Sequence, residues 1–307
     1  MRISLQEASK LLSRGEVVAV PTETVYGLAA SLRNPAAIDK IFSLKGRPSN
    51  NPLIIHVSHK QQIEEFASFF PPGFNALAET FWPGPLSIVL TVDPEKVPSR
   101  ARAGLPTAAF RIPNHRDAMD LMDMSGPLVM PSANLSGKPS ATKPEHVETD
   151  FGRDFPVLDG GPCQRGLEST IVIYREERWE IIRLGSLSAE DFFDVLGYCP
   201  RVNIHGAVPL CPGQLYRHYA PQCTLILRMP PDGSKVIIGF DERKYPEAFR
   251  VISLGSLDSP ENIAENLYDI LRRLDSENIP IAHVDMDFPK TGLWATIFER
   301  LNKAANI

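Results

Sequence analysis

Polar side chains follow two short apolar runs near the beginning of this 307-residue chain. The first run, residues 17–20, is typical of a buried strand and leads directly into Thr22, Glu23 and Thr24. The second run, residues 52–55, ends on His56, and three more polar residues precede it: Lys45, Arg47 and Asn51. Ligands of α/β sheets bind at strand ends, and two cations separated by a glycine suit a polyphosphate. The pattern predicts an anion-binding site made of hydroxyls, an imidazole and two cations.

An arginine stands inside an apolar segment, the strand candidate 108–112. Thr107 and Arg111 are four residues apart, so they project to the same face of an extended chain. A buried arginine almost always has an anionic partner. That partner is either an internal carboxylate, such as Glu23, or a carboxylate or phosphate of a ligand. The bidentate geometry of guanidinium favours the ligand.

Further polar residues lie close to the later strand candidates. They are Ser132, Asn134, Ser140, Thr142, Ser169 and Arg183. The sequence has no P-loop, GxGxxG or HExxH motif, and no Ser-His-Asp arrangement that spacing supports. A site without a nucleophile suits catalysis by positioning and charge stabilisation, as in phosphoryl and nucleotidyl transfer.

Composition restricts the class of protein. The net charge of −5 argues against binding nucleic acid through bulk charge, although a local basic pocket remains open. No apolar run approaches the ~20 residues that span a bilayer, and the N-terminus has no apolar segment of a signal peptide. Four cysteines without a CxxC pair indicate a reduced, cytoplasmic setting. We therefore expect a cytoplasmic protein with no membrane contact.

Five potential zinc ligands lie between residues 199 and 223. They are Cys199, His205, Cys211, His218 and Cys223. Their spacings are wide and irregular for a zinc site, so we regard zinc only as a minor alternative.

Strand and helix candidates are mixed without strict βαβ alternation, which predicts an α/β fold with a mixed sheet. Helices are expected at 60–70, 73–81, 115–124 and 189–196, and a helix over 261–276 belongs to a second, smaller α/β domain. Proline and glycine break the periodicity between these parts. The expected division is a catalytic domain over 1–200, a linker or lid over 201–222 and an accessory domain over 223–307.

The order of motifs resembles the Sua5/YrdC/TsaC family of threonylcarbamoyl-AMP synthases. The matching strings are PTETVYGL (21–28), KGRPSNNPLIIH (45–56), WPGPLS (82–87), FRIP (110–113), PSANLSG (131–137), GLEST (166–170) and RLGSLS (183–188). Residues 211–221 resemble the inter-domain segment of the two-domain Sua5 type. The resemblance implies a YrdC-like mixed twisted sheet with flanking helices, followed by a small Rossmann-like domain.

The resemblance also implies a reaction, in which L-threonine, bicarbonate or CO₂, and ATP give threonylcarbamoyl-AMP and pyrophosphate. A separate transferase would then use this product to make t6A at position 37 of tRNA. Threonine or its carbamate would be held by Thr22, His56, Arg111, Ser132 and Ser169. ATP would be held by Lys45, Arg47, Asn51, Thr107, Asn134, Ser140, Thr142, Arg183 and the linker residue Tyr219. Mg²⁺ would be held mainly by the ATP phosphates, since no carboxylate cluster accompanies these motifs.

Three positions depart from the usual family pattern without removing a polar contact: Ala141, Leu167 and Leu184. Two rival functions remain open. One is RNA binding without catalysis, through cations such as Arg100 and Lys138, and a weak tRNA contact is compatible with either function. The other is carbamoyl transfer of the hydrogenase-maturation type, but this chain lacks the zinc-finger and acylphosphatase modules of those enzymes.

Overall fold

The structure is a computed structural model that describes residues 1–204, 218–229, 235–246 and 248–305. Its helices are α1 (Leu5–Ser13), α2 (Pro35–Lys45), α3 (Phe74–Phe81), α4 (Ser99–Arg102), α5 (Arg116–Ser125), α6 (Pro144–Phe151), α7 (Phe193–Leu196), α8 (Pro260–Ser276) and α9 (Leu293–Ala305). Its strands up to the predicted linker are β1 (Arg2–Ile3), β2 (Val18–Val20), β3 (Gly27–Ser31), β4 (Ile54–His56), β5 (Leu86–Thr91), β6 (Thr107–Arg111), β7 (Leu128–Val129), β8 (Val157–Leu158), β9 (Thr170–Arg175), β10 (Arg178–Arg183) and β11 (Arg201–Val202). The later strands are β12 (Thr224–Ile226), β13 (Val236–Phe240), β14 (Arg250–Gly255) and β15 (Ile281–Val284).

Within the described residues, the strands form one large mixed sheet and one small parallel sheet. The large sheet has eleven strands in the order β1-β8-β2-β3-β7-β4-β6-β5-β9-β10-β11. The small sheet has the order β12-β15-β13-β14, and all of its pairs are parallel. Each sheet packs against helices, so the expected α/β fold, with a mixed sheet and a second α/β part, is confirmed.

The two faces of the large sheet differ in character. Ile55 and Phe110 point into the main hydrophobic core, together with buried residues of α2 and α3. Ile54 and Ala109 point to the opposite face, where they join a small apolar cluster. Because side chains alternate along a strand, Arg111 lies on the same side as Ala109. The alternation therefore keeps the arginine out of the main core.

The C-terminal helices pack directly against the first part of the chain. Val25 and Leu167 are buried in the same apolar cluster as residues of α8, α9 and the small sheet. Gly166 comes so close to α8 that a Cβ atom added to it would lie 2.3 Å from the carbonyl oxygen of Ala264. The contact between the two parts is thus close-packed along this segment.

Some elements differ from the sequence-based expectation. The helix expected at 60–70 is a 3₁₀ turn over Lys60–Glu65. It ends there because the next residues pair with the end of β5, as the hydrogen bond from Ser68 N to Thr91 O at 3.0 Å shows. Strand β3 was not expected, because its Gly-Leu-Ala-Ala-Ser sequence has weak strand propensity. In the structure it is almost entirely buried in the sheet.

Candidate active site

The central cleft lies where adjacent strands of the large sheet end. His56 and Arg111 are the last residues of the parallel strands β4 and β6, and they are paired in register. Ser169 immediately precedes β9, and Arg183 ends the neighbouring antiparallel strand β10. The fold thus brings together four polar residues that are far apart in sequence.

Nine of the fourteen predicted ligand residues line this cleft. They are Arg47, His56, Arg111, Ser132, Asn134, Ser140, Ser169, Arg183 and Tyr219. The cleft encloses only about 60 Å³. Pockets that hold ligands usually have a volume of about 300–1,000 Å³. The cleft is therefore narrower than a typical ligand pocket.

Arg111 has an internal carboxylate partner. Its Nη2 donates to Glu23 Oε1 at 2.7 Å, and both side chains are only 4% exposed. Its Nε donates to the carbonyl of Gly84 at 3.2 Å. Of the two partners left open by the sequence, the structure therefore shows the carboxylate. The guanidinium still faces the cleft, so Glu23 orients it toward a ligand.

His56 is a neutral imidazole that presents an acceptor. Its Nδ1 lies 3.1 Å from the carbonyl oxygen of Ile54, which can only accept, so Nδ1 carries the proton. Burial lowers the pKa of His56 well below its usual value, and the positive charges of Arg111 and Arg183 lower it further. Nε2 therefore has a free lone pair on the cleft side.

Lys45 organises the loop that follows β7. Its Nζ donates to the carbonyl oxygens of Ser132 and Asn134, both at 2.5 Å, and the residue is buried. Burial, together with the charge of Arg47, lowers the pKa of Lys45 well below its usual value. Lys45 does not line the cleft in the structure, but it holds the two residues that do. Asn134 Oδ1 is buried without a hydrogen-bond partner and is therefore available to a ligand.

Ser169 is held by groups on both sides. Arg183 Nη2 donates to its carbonyl oxygen at 2.8 Å and to its Oγ at 2.9 Å. Ser87 Oγ lies 2.8 Å from Ser169 Oγ. The hydroxyl is thus fixed in direction beside a guanidinium, an arrangement that suits an anionic ligand.

The other four predicted residues also lie outside the cleft lining. Thr22 Oγ1 donates to Val25 O at 2.6 Å and accepts from two backbone N–H groups, so it stabilises its own turn. Thr142 N donates to His146 Nδ1 at 3.2 Å. Asn51, which follows Arg47 by four residues, is also buried. Thr107 starts β6, whereas Arg111 ends it. Arg111 follows Thr107 by four positions along an extended strand, so their Cα atoms are about 13 Å apart. The shared face therefore does not bring Thr107 to the cleft.

Three charged or ionisable cleft residues received no threonine or ATP role in the sequence analysis: Lys138, Glu168 and His218. Glu168 lies within the GLEST string and His218 directly precedes Tyr219, so adjacency to predicted residues was the available signal. Burial lowers the pKa of His218 to about 3, together with the charges of Arg47 and Lys303. Its Nε2 is buried without a hydrogen-bond partner.

The zinc alternative finds no support in the part of the chain that the structure describes. His205 and Cys211, like much of the predicted linker, lie outside the described residues. Among the residues that are described, no group of three or more His, Cys, Asp or Glu side chains is arranged to hold a metal ion. His218 lies in the cleft, whereas Cys223 is buried beside Thr224.

The fold and cleft define a two-part α/β protein with buried cations, hydroxyls and an imidazole around one anion-binding cavity. Comparison with known proteins identifies the family. Residues 10–185 match the Sua5/YciO/YrdC profile, described as "Telomere recombination", and residues 187–306 match the profile "Threonylcarbamoyl-AMP synthase, C-terminal domain". The chain therefore belongs to the Sua5/YciO/YrdC family.

Several relatives match almost the whole chain. The chain is 38% identical over 321 residues to a threonylcarbamoyl-AMP synthase of Bacillus subtilis (strain 168), covering 98% of this chain and 92% of that protein. The crystal structure of P. abyssi Sua5 complexed with L-threonine has a TM-score of 0.89 and 35% identity, over 100% of this chain and 96% of that one. A P. abyssi Sua5 structure with a histidine and the following tyrosine replaced by alanine has a TM-score of 0.88 and 35% identity, over 98% and 92%.

These relatives confirm the family and the activity predicted from the sequence. The chain is an L-threonylcarbamoyladenylate synthase, a nucleotidyltransferase that uses ATP. Separately, no helix in the described parts of the chain is long and apolar enough to cross a membrane.

Proposed function

We propose that the central cleft makes threonylcarbamoyl-AMP, with threonine on its Arg111–His56 side and ATP on its Arg183–Tyr219 side. The observation that carries this proposal is the convergence of nine predicted ligand residues on one buried cavity. Arg111 would bind the carboxylate of threonine, because Glu23 fixes its orientation while the guanidinium faces the cleft. Ser132 and Ser169 would bind the other polar groups of threonine.

His56 would act on the threonine amine. An ammonium group cannot attack CO₂, so it must first lose a proton, and neutral His56 Nε2 is positioned to accept a proton or a hydrogen bond. The amine then forms a carbamate with CO₂. A carbamate oxygen attacks the α-phosphorus of ATP, the P–O bond to the β-phosphate breaks, and pyrophosphate leaves. An enclosed cleft protects the carbamate, which decomposes readily in water.

Arg47, Asn134, Ser140 and Arg183 would bind ATP, and Tyr219 would close over the nucleotide. Arg47 and Arg183 would offset the charge that develops on the leaving pyrophosphate. Lys45 would contribute by holding the backbone at Ser132 and Asn134. His218 and Tyr219 line the cleft, which supports a role for the end of the linker in closing it.

Mg²⁺ would enter with the ATP phosphates. Glu168, which lines the cleft, and Glu23, which pairs with the cleft residue Arg111, each bind an arginine, so they are poor candidates for a protein-built metal site. The unpartnered Asn134 Oδ1 is a hard oxygen ligand that fits Mg²⁺. When bound, Mg²⁺ would neutralise phosphate charge.

We further propose the division into a catalytic domain (1–200), a linker or lid (201–222) and an accessory domain (223–307). We also propose a cytoplasmic location and a downstream t6A transferase that consumes the product, because this activity serves tRNA modification. A weak tRNA contact is compatible with this role.

Calorimetric titration tests the assignment of the two sides. His56→Gln should weaken threonine binding at least tenfold and leave binding of a non-hydrolysable ATP analogue within about twofold. Arg47→Lys should show the opposite pattern, because lysine cannot reproduce the paired contacts of the guanidinium. Arg116→Lys, an exposed change outside the cleft, is the control. Equal losses of both ligands in both variants would contradict the division of the cleft.

A further inference from the structure

Two buried side chains of the C-terminal helices reach the wall of the cleft. Arg300 of α9 is fully buried, and its Nε donates to Glu168 Oε2 at 3.1 Å. Tyr268 of α8 is also fully buried, and its hydroxyl donates to the same oxygen at 2.9 Å. Glu168 lines the cleft and directly precedes Ser169. A carboxylate in the catalytic part is thus held from the other part of the chain.

Glu168 also determines how Ser140 presents its hydroxyl. Ser140 Oγ donates to Glu168 Oε1 at 2.6 Å. A serine hydroxyl has one proton and two lone pairs, so Ser140 has only acceptor capacity left for a ligand. A ligand group at Ser140 must therefore be a hydrogen-bond donor, such as a ribose hydroxyl or an amine. This preference holds only while Glu168 is ionised and fixed.

The charge around Glu168 keeps it ionised. Burial by itself would raise the pKa of Glu168, but the charges of Arg300 and Arg183 and the Ser140 hydrogen bond lower it to about 2. Buried charges are tolerated when they are paired and fully hydrogen-bonded. Glu168 meets this condition through three donors, and two of them belong to the C-terminal helices.

The same helices hold the backbone that follows Arg183. Arg300 Nη2 donates to Leu184 O at 2.7 Å, and Thr296 Oγ1 donates to Gly185 O at 2.9 Å. The Arg300 guanidinium also lies 4.7 Å from the centroid of the Tyr219 ring. Arg300 therefore contacts three segments of the cleft wall: residues 168, 184 and 219.

We propose that Arg300 and Tyr268 are positioning residues for the synthase reaction, acting through Glu168 to fix the hydroxyl of Ser140. This inference rests on the proposed function, because it assumes that ligands bind in the cleft. The C-terminal helices thereby complete the active site without touching substrate. Loss of either contact leaves the site able to bind substrate, but fewer molecules have the reactive geometry, so kcat falls more than KM rises.

Tyr268→Phe gives the cleanest test, because it removes one hydroxyl and keeps the ring that stacks on Tyr219 at 5.3 Å between centroids. We expect a roughly tenfold lower kcat for threonine-dependent pyrophosphate release, with KM for ATP within about twofold. Tyr245→Phe is the matched control. Tyr245 also donates to a carboxylate of the C-terminal part, Asp285 Oδ2 at 2.7 Å, but it does not line the cleft. Its kcat should equal that of the unmodified chain.

The path through Glu168 is tested in a double-mutant cycle. In a Glu168→Gln background, Tyr268→Phe should lower kcat by less than threefold, since the carboxylate through which it acts is already gone. Arg300→Lys should retain more activity than Arg300→Met, because it keeps a positive charge beside Glu168. Circular dichroism and thermal midpoints establish that each variant is folded.

An unchanged kcat in folded Tyr268→Phe would overturn the inference, as would an equal loss in the unmodified and Glu168→Gln backgrounds. A loss confined to thermal stability, shared by Tyr245→Phe, would assign Tyr268 a merely structural role. The rate of the unmodified chain tests the proposed function, whereas only the ratios between variants test this inference. An inactive unmodified chain would overturn the proposed function, whereas an active unmodified chain with an unchanged kcat in Tyr268→Phe would overturn only this inference.

Discussion

At the scale of single residues, Arg111 has two roles, and most substitutions of this residue would remove both of them. It neutralises buried Glu23, with both side chains 4% exposed, and it also faces the cleft. Removing one partner of a buried ion pair costs about 3–5 kcal/mol because the other charge is left unpaired. From the sequence alone, Arg111→Ala would be expected to abolish turnover and leave the fold intact. The ion pair makes loss of stability part of its effect.

A double substitution separates the two roles. Arg111→Met should lower the free energy of unfolding by about 3–5 kcal/mol and abolish threonine-dependent turnover. Arg111→Met combined with Glu23→Gln should recover most of that stability, because no unpaired charge remains, but it should not recover turnover. Denaturant unfolding and pyrophosphate release measure the two effects. Normal turnover in the stable double variant would exclude Arg111 from threonine binding.

The protonation state of His56 makes a second prediction. Burial and two neighbouring arginines lower its pKa, so the folded protein keeps it neutral as the pH falls through 6.5. Threonine affinity should therefore stay constant between pH 8 and pH 6 in calorimetric titrations. A steep loss of affinity that begins near pH 6.5 would show that His56 titrates normally and would contradict the neutral acceptor.

At the scale of elements, the segment before Glu168 depends on close backbone contact. A Cβ atom at Gly166 would meet the backbone of α8 at 2.3–2.6 Å, and Gly166 also has a φ of +68°. Gly197 has a similar φ of +74°, but no atom lies within 4 Å of its Cβ position. The two glycines thus separate the conformational requirement from the packing requirement.

Gly166→Ala should lower the thermal midpoint far more than Gly197→Ala, and only Gly166→Ala should also lower kcat. The shared positive φ costs each variant about 1 kcal/mol. The extra loss at residue 166 comes from displacement of α8, which carries Tyr268. Equal midpoints for the two alanine variants would show that the contact between this segment and α8 relaxes without cost.

A histidine between the two parts makes stability depend on pH. His146 Nδ1 accepts from Thr142 N, so its protonated Nε2 donates to Asp269 Oδ1 of α8 at 2.9 Å. Burial lowers the pKa of His146 in spite of Asp269. The unfolded chain therefore binds this proton more readily than the folded one, so stability is lost as the pH falls below about 6.5.

The thermal midpoint should accordingly decrease between pH 7.5 and pH 5.5. His56 and His218, whose pKa values are also lowered, contribute in the same direction. His146→Gln should reduce the slope, because glutamine can make similar hydrogen bonds and does not titrate in this range. The slope of His146→Gln should be compared with that of His59→Gln. An identical slope in both variants would remove His146 from the effect.

At the scale of the whole molecule, the sequence predicted the elements better than the contacts between them. Alternation along β6 indicated that Thr107 and Arg111 face one side, because that information is local. A shared face says nothing about distance along the strand, and Thr107 lies outside the cleft lining. The role of Glu168 could not be predicted, because its partners Tyr268 and Arg300 are 100 and 132 residues away.

These contacts make the synthase a single working unit built from both parts of the chain. The C-terminal helices hold Glu168 in the wall of the cleft, and the first part of the chain contributes Val25 and Leu167 to the C-terminal core. The cleft of about 60 Å³ lies below the usual range for ligand pockets, and the end of the linker, His218 and Tyr219, forms part of its wall.

The proposed synthase reaction is tested most directly by pyrophosphate release from ATP by the full chain with Mg²⁺, in the complete reaction and in reactions that omit threonine, bicarbonate or both. Rapid release is expected only when both are present, because the carbamate must form before any group can attack the α-phosphorus. Release at the same rate without threonine or without bicarbonate would contradict it, as would no release from folded protein in the complete reaction.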